Sequence, residues 1–391
     1  MSALAPAAVR VADLGEAASA RMEPAHRDYV DGGAGDERTL RANAFAFEQA
    51  RLLPRVLRGT GPRDLATTVA GTALSMPVLL APTAFHRLAH PDGETVTAAA
   101  AAAAGTVMVV SMAATRTVED VAAAFATAAA TAAGQAAGQA AGGLWFQLYP
   151  QPDTAFTASL VHRAEDAGCR GLVVTVDSPV LGRRERDLRN GFLDLPPGLA
   201  CENLRDPATG LVRSIEMDDR LDWDAVARLR EVTRMPLVLK GVLHPEDARL
   251  AVECGADGVW VSNHGGRQLD GAVATLDALP GVVEAVAGRA AVIVDGGVRR
   301  GTDALVALAL GADAVAVGRP AVWGLAAGGE AGVRAVLELL RDELDTACAL
   351  TGLRRPAEAT PDLVVASRPA YGSSLRGGPR YGRAHDGGAV R

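Results

Sequence analysis

The segment 258–270 reads GVWVSNHGGRQLD, and two of its side chains can combine acid–base and anion chemistry. His264 and Arg267 stand three apart among glycines, just after the apolar run Gly258–Val261. If a helix starts there, that spacing puts both on one face, within reach of one small molecule. An imidazole is a base near neutral pH, and a guanidinium fork grips a carboxylate. The pair suits a substrate with a proton to lose and a carboxylate to hold, which describes a 2-hydroxy acid. A polar surface loop carrying a chance HxxR is the competing reading. It loses ground because seven other strand-like runs also end in reactive or glycine-rich residues.

Those runs are Pro77–Ala81, Thr106–Val110, Leu144–Leu148, Gly171–Val176, Pro236–Leu239, Ala291–Val294 and Asp313–Val317. Helical patterns such as Thr154–Ala167, Pro245–Cys254 and Arg300–Leu310 lie between them. Gly168, Gly255 and Gly311 follow these three, where a helix end favours positive φ. Strand and helix alternating eight times predict an α/β fold, a (β/α)₈ TIM barrel. No Gly-x-Gly-x-x-Gly follows the first strand, so a dinucleotide-binding Rossmann domain is not expected. Residues 1–65 are expected to form an N-terminal helical extension, 66–360 the barrel, and 361–391 a disordered tail, because Ser367–Arg391 is rich in Arg and Gly. The low-complexity stretch Ala122–Gly143 reads as an extended helix running into a flexible connection. Residues 189–221 form the longest connection, a candidate lid.

Composition narrows the class. The net charge of −7 gives no basic face for nucleic acid. Aromatics are only 4%, so a core of small aliphatics is expected. Cys169, Cys201, Cys254 and Cys348 form no CxxC pair, which argues against a metal site or disulfide framework and favours a reducing, cytoplasmic setting. The uncharged runs Thr95–Thr115 and Val121–Pro152 are too rich in Ala, Thr, Gly and Gln to span a membrane.

In a TIM barrel, chemistry gathers at the C-terminal ends of the strands. There the runs end, in order, at Pro82-Thr83-Ala84, Ser111, Gln147 with Tyr149, Thr175 with Asp177, Lys240, Ser262 with His264, Asp295-Gly296-Gly297 with Arg299, and Gly318-Arg319. Any one such polar residue could be a helix cap. The glycines and arginines after the last two strands suit one compact phosphate. Ser111, Gln147, Thr175 and Lys240 suit a polar heterocycle such as flavin. A buried cation at Lys240 would stabilise negative charge developing on that ring; its competing role is a structural ion pair.

The segments APTAFHRLAHPDGE, FQLY, TVDSPVLGRRERDLRNGF, LKGVLHPEDA, SNHGGRQLD and DGGVRRGTDALVALALGADAVAVGRP carry a resemblance. From about Tyr29 to Ala357 the chain resembles the FMN-dependent 2-hydroxy acid oxidase and dehydrogenase family, which includes glycolate, lactate and 4-hydroxymandelate oxidases. The resemblance implies that His264 is the base, Asp177 its orienting carboxylate, and Lys240 a catalytic cation. Arg184 and Arg267 are implied as the carboxylate clamp, with Tyr29 and Tyr149 as hydroxyl contacts to substrate. It implies FMN contacts at Pro82, Thr83, Ala84, Ser111, Gln147, Thr175, Lys240, Ser262, Asp295, Gly296, Gly297, Arg299, Gly318 and Arg319. A homo-oligomer, tetramer or octamer, is implied as well, with oxygen or another acceptor as the electron partner.

One departure bears on substrate. Where glycolate oxidases carry a tryptophan after the second strand, this chain has Ala113, which leaves room for an aryl group. Ala84, Phe85 and Ala113 are expected to set pocket size, with Met112 also in its wall. His86 and His90 are expected near the site's border, while His26, His162, His244 and His385 are expected at the surface or at caps.

Overall fold

The computed structural model describes residues 8–135, 142–206 and 208–366. Among them, eight parallel strands close a barrel: β1 (Val78–Leu80), β2 (Val107–Ser111), β3 (Gly143–Leu148), β4 (Leu172–Thr175), β5 (Leu237–Val242), β6 (Gly258–Val261), β7 (Ala291–Val294) and β8 (Ala314–Val317). Val315 of β8 pairs with Val78 of β1 and shuts the ring. The strand-and-helix alternation in the sequence is thus the architecture, with no strand end shifted by more than three residues.

Alternation along each strand separates two cores. Leu79, Val109, Trp145, Val173, Val238, Trp260, Ile293 and Ala316 form one buried cluster inside the barrel. Their neighbours Leu80, Val110, Phe146, Val174, Leu239, Val261, Val294 and Val317 pack in the outer cluster with the helices. The expectation of small aliphatics alone needs correction, because Trp145 and Trp260 are fully buried in the barrel. An eight-stranded barrel must be filled by its own side chains, and where most inward residues are Val or Ala, two indoles occupy the remaining volume. Trp145 satisfies its Nε1–H on Thr72 Oγ1 at 3.1 Å. Thr72 belongs to a hairpin (Thr67–Val69 and Thr72–Leu74) whose Val69 and Leu74 join the interior cluster and close that end.

Local chemistry explains the helices. Asp153 caps Thr154–Asp166 through Phe156 N–H, and His244 caps Pro245–Glu253 through Glu246 N–H, so His244 is the capping residue its position suggests. Gly168, Gly255 and Gly311 hold φ of 86°, 82° and 102°. The Ala-rich stretch forms a helix over Val118–Gln135; the connection after it, like Ser367–Arg391 and His385, lies outside the described residues. Helices Val11–Ser19, Pro24–Asp31 and Arg38–Gln49 precede the barrel. Ala50–Leu52 then pairs antiparallel with Val364–Ala366, joining the two ends of the described chain.

The connection between β4 and β5 contains a short helix, Glu185–Asn190, and a turn, Glu202–Leu204. Asn203 pins it to the barrel, accepting from Val118 N–H at 2.8 Å and donating to the Ser111 carbonyl at 3.2 Å. Among the described residues no helix is long and apolar enough to cross a membrane.

Candidate active site

The C-terminal ends of the strands surround a cavity of about 580 Å³. Of the residues the sequence pointed to as catalytic, substrate-binding or FMN contacts, all but Asp177 and Ser262 line it, and these two are hydrogen-bonded to residues that do. Asp177 Oδ1 is 2.9 Å from His264 Nδ1. Ser262 Oγ accepts from Lys240 Nζ at 3.1 Å and donates to Asp295 Oδ1 at 2.7 Å.

His264 does not begin an α-helix. It opens a single tight turn, His264–Gly266, with φ of +57° at His264 and +61° at Gly265. Arg267 comes beside it through this turn rather than through helical spacing. Four side-chain bonds hold the conformation: His264 N–H to Ser262 Oγ at 3.0 Å, Gly266 N–H to Asn263 Oδ1 at 3.1 Å, and a reciprocal amide pair between Asn263 and Asn43 at 2.8 Å each way. A Cβ at Gly266 would lie 2.6 Å from Leu40 N, so only glycine lets the helix Arg38–Gln49 approach.

The electrostatics of the pair follow from burial. Burial pushes His264 below its usual value, only partly offset by Asp177, and Lys240 lowers it further. Burial would raise Asp177, but the charge and hydrogen bond of His264, with Lys240 and Ser178, hold it down at about 2. The carboxylate therefore accepts Nδ1–H of a neutral ring, and Nε2 keeps its lone pair, 3.4 Å from Tyr149 Oη. Burial also raises the Tyr149 phenol, which stays protonated.

The arginines divide by what they hold. Arg267 donates from Nη1 to the carbonyls of Tyr29 and Gly32 at 2.6 and 3.0 Å, and lies 4.8 Å over the Tyr29 ring. Burial and the nearby Arg184 charge bring it down to about 10. Arg184 Nε is buried without a hydrogen-bond partner among the described residues, as is Asp177 Oδ2. An orphaned guanidinium N–H at a cavity wall is costly unless a ligand meets it. Arg319 donates to the carbonyls of Val30, Gly265 and Gly32, and burial brings it down to about 9. Arg299 is brought by burial to about 10 and lies 4.9 Å over Trp323.

A phosphorylated flavin fits these residues. Gly318 caps the N-terminus of the helical segment Arg319–Thr351, which is broken at Gly328 and Gly329, and the first N–H groups of that segment favour an anion. Gly296 and Gly297 hold φ of 89° and 97°, and a Cβ at Gly297 would lie 2.3 Å from the Asn43 carbonyl. Deeper in, Gln147 accepts from Ser111 Oγ and donates to Thr175 Oγ1, each at 3.1 Å, so three buried polar groups form one ordered wall. Lys240 Nζ is 3.7 Å from Asp295 Oδ2 and both line the cavity. It is an ion pair and a cavity cation at once.

Several expectations need correction. Met112 is fully buried in the outer cluster and does not line the cavity, because the alternation of β2 carries it away from the wall that Ser111 and Ala113 face. Neither His86 nor His90 reaches the cavity: His86 is buried between Thr83 and Thr97, and His90 Nδ1 accepts from Asp92 N–H. His26 packs edge-on to Phe192, with ring centroids 5.8 Å apart. Sequence reasoning missed Asn43 and Asn263, and also Gln268, which binds Gly182 N–H and the carbonyls of Asp177 and Val180. Asn263 and Gln268 stood within the SNHGGRQLD motif, whereas Asn43 gave no signal. Phe192, Ile215 and Met217 bring the long connection over the cavity.

A closed parallel barrel with a buried His–Asp pair, several buried arginines and a glycine-rich turn around one cavity has the architecture of a barrel enzyme suited to a phosphorylated cofactor and an anionic substrate. Comparison with known proteins narrows it. The model of the FMN-dependent dehydrogenase family matches residues 18–366, and the chain belongs to that family. L-lactate oxidase from Nostoc sp. is 48% identical over 337 residues, 83% of this chain and 89% of that one. Glycolate oxidase from Spinacia oleracea is 45% identical over 351 residues, 87% and 90% of the two chains. Among solved structures, mandelate oxidase with benzoyl-formic acid superposes with a TM-score of 0.81 at 41% identity, covering 90% of this chain and 97% of that chain. This chain is accordingly an FMN-dependent oxidoreductase of the 2-hydroxy acid oxidase group, with FMN as its cofactor.

Proposed function

We propose that the chain oxidises an (S)-2-hydroxy acid with an aryl side chain to the 2-oxo acid, with oxygen as terminal electron acceptor. The observation that carries the acid–base reading is the His264 Nε2 lone pair, aimed at the cavity with Asp177 fixed behind it. His264 takes the substrate proton, and Asp177 stabilises the imidazolium that results. Arg184, with its open Nε, and Arg267 hold the substrate carboxylate, while Tyr29 and Tyr149 present hydroxyls to the same space. FMN, when bound, supplies the two-electron acceptor. Lys240, already balanced by Asp295, adds positive potential at the deep wall.

Support for an aryl group comes from the apolar part of the cavity wall. Ala113 faces the cavity, and Phe85 stacks on Tyr29 with centroids 5.4 Å apart, giving an apolar side without a large residue at position 113. Mandelate oxidase among the structural neighbours fits the same reading. The test is a panel of glycolate, lactate and mandelate. Anaerobic bleaching of the yellow holoenzyme ranks the substrates, and peroxide measured in air separates oxygen from another acceptor. Mandelate ranking below glycolate would overturn the aryl assignment. A cytoplasmic homo-oligomer, a tetramer or octamer, is proposed as well. It is supported by four unpaired cysteines and by exposed Leu53, Val56 and Leu57, and light scattering checks the assembly.

A further inference from the structure

Behind β1 lies a buried polar relay that the reaction as described leaves unused. His86 is 2% exposed. Its Nε2 meets Thr83 Oγ1, its Nδ1 is 3.1 Å from Thr97 Oγ1, and its backbone N–H donates to Glu94 Oε1 at 3.1 Å. Glu94 is fully buried and is held in turn by the N–H and hydroxyl of Thr115, at 2.8 Å each. Thr83 lines the cavity, whereas His86 and Thr97 do not.

The proton assignment that uses every contact of the relay gives it a direction. A threonine hydroxyl has one hydrogen. Thr97 donates its own to the Gly93 carbonyl, one turn back at 3.5 Å, so toward His86 it accepts. Nδ1 therefore carries the ring proton. The ring is neutral, since burial lowers His86 below its usual value, and Nε2 is a bare acceptor. Thr83 must then donate to Nε2, and its oxygen offers the cavity lone pairs only. Thr83 stands against the phosphate cradle, with its Cγ2 3.4 Å from the Cβ position of Gly318. We propose that His86 is a positioning residue that turns the Thr83 hydroxyl so that it meets an N–H or O–H of bound FMN as an acceptor. The proposal rests on FMN as cofactor and is independent of the substrate.

The test reads FMN dissociation from the full-chain holoenzyme on dilution, followed by the rise of free-flavin fluorescence. Thr83→Val should weaken FMN roughly three- to tenfold, the scale of one hydrogen bond, and Thr83→Ser should restore it. Thr97→Val lies outside the cavity, yet it should also weaken FMN, because the imidazole then loses the partner that fixes its tautomer. His86→Leu should do the same. In the Thr83→Val background neither change should have further effect, which a merely structural role would not produce. If His86→Leu does not fold, Thr97→Val alone and in that background carries the test. Wild-type FMN affinity in Thr83→Val, or additive losses in the double variants, would overturn the proposal.

Discussion

Asp177→Asn isolates the electrostatic part of the proposed acid–base step, because the replacement keeps shape and can still accept Nδ1–H. In the native site the carboxylate oxygen is 2.9 Å from Nδ1, so the centres of charge stand about 4 Å apart once an imidazolium forms. At the effective dielectric of a partly buried pair, roughly 20, two unit charges at that distance attract by about 4 kcal/mol. The neutral amide retains part of this as an ordinary hydrogen bond, worth about 1 kcal/mol. The net loss of about 3 kcal/mol corresponds to a rate lower by roughly 10²-fold. Asp177 does not line the cavity, so FMN content should stay at the wild-type level. The assay is anaerobic stopped-flow bleaching at saturating acid, repeated across pH. Besides the lower plateau, the acid limb should move down in pH, since the carboxylate is what opposes the lowering of His264 by burial and by Lys240. A rate within threefold of wild type, or a limb moving upward, would refute this account of the pair.

Four further outcomes follow from the same geometry. The wild-type acid limb of kcat/KM should lie below pH 6.5, because burial lowers His264; a limb above 7 in a pH–rate profile would contradict this. Stability should fall as pH drops below about 6.5, since the unfolded chain gains protons on His86 and His264 that the folded form resists; urea melts at pH 5 and 7.5 measure it. Gly297→Ala should lose FMN, because its Cβ would lie 2.3 Å from the Asn43 carbonyl at a φ of 97°, a strain of about 1–3 kcal/mol; flavin absorbance per protein reports it. Ala113→Trp should reverse a preference for mandelate over glycolate by about 10- to 150-fold in kcat/KM, the worth of burying a ring, whereas equal losses on both acids would indicate overpacking alone.

Periodicity made the barrel legible. Each strand is a short apolar run, and the glycines after the helices mark their ends, so Gly258–Val261 and Ala291–Val294 were placed to the residue. The polar ends of the strands could be read because the fold sends them all to one face. What stayed hidden depends on contacts between distant segments. Proximity to Ser111 points to Met112 as a wall residue, but nearness in sequence says nothing about which way one side chain turns. Trp145 and Trp260 stand within the runs Leu144–Leu148 and Gly258–Val261, but a strand run does not say which of its side chains turn into the barrel. The His264 turn looked helical because a spacing of three is the same in a helix and in a tight turn, and only the positive φ separates them. The Asn43 partner of Asn263 lies 220 residues away, beyond any local pattern.

The guanidinium of Arg319 rests on the carbonyl of Val30, a bond that spans 289 residues of chain. Arg267 reaches Tyr29 across 238. Contacts so distant along the chain close late, since the entropy of the intervening loop must first be overcome by the barrel itself. During synthesis the segment around Tyr29 emerges before its partners: Arg267 can reach it once β6 is made, and Arg319 only after β8. The Arg319 side of the site is therefore completed late, ahead only of longer-range contacts such as the pairing of Ala50–Leu52 with Val364–Ala366. A chain that stops short of Arg319 is expected to make most of a barrel with no cofactor cradle, and yellow colour in a translation time course should mark the finished molecule.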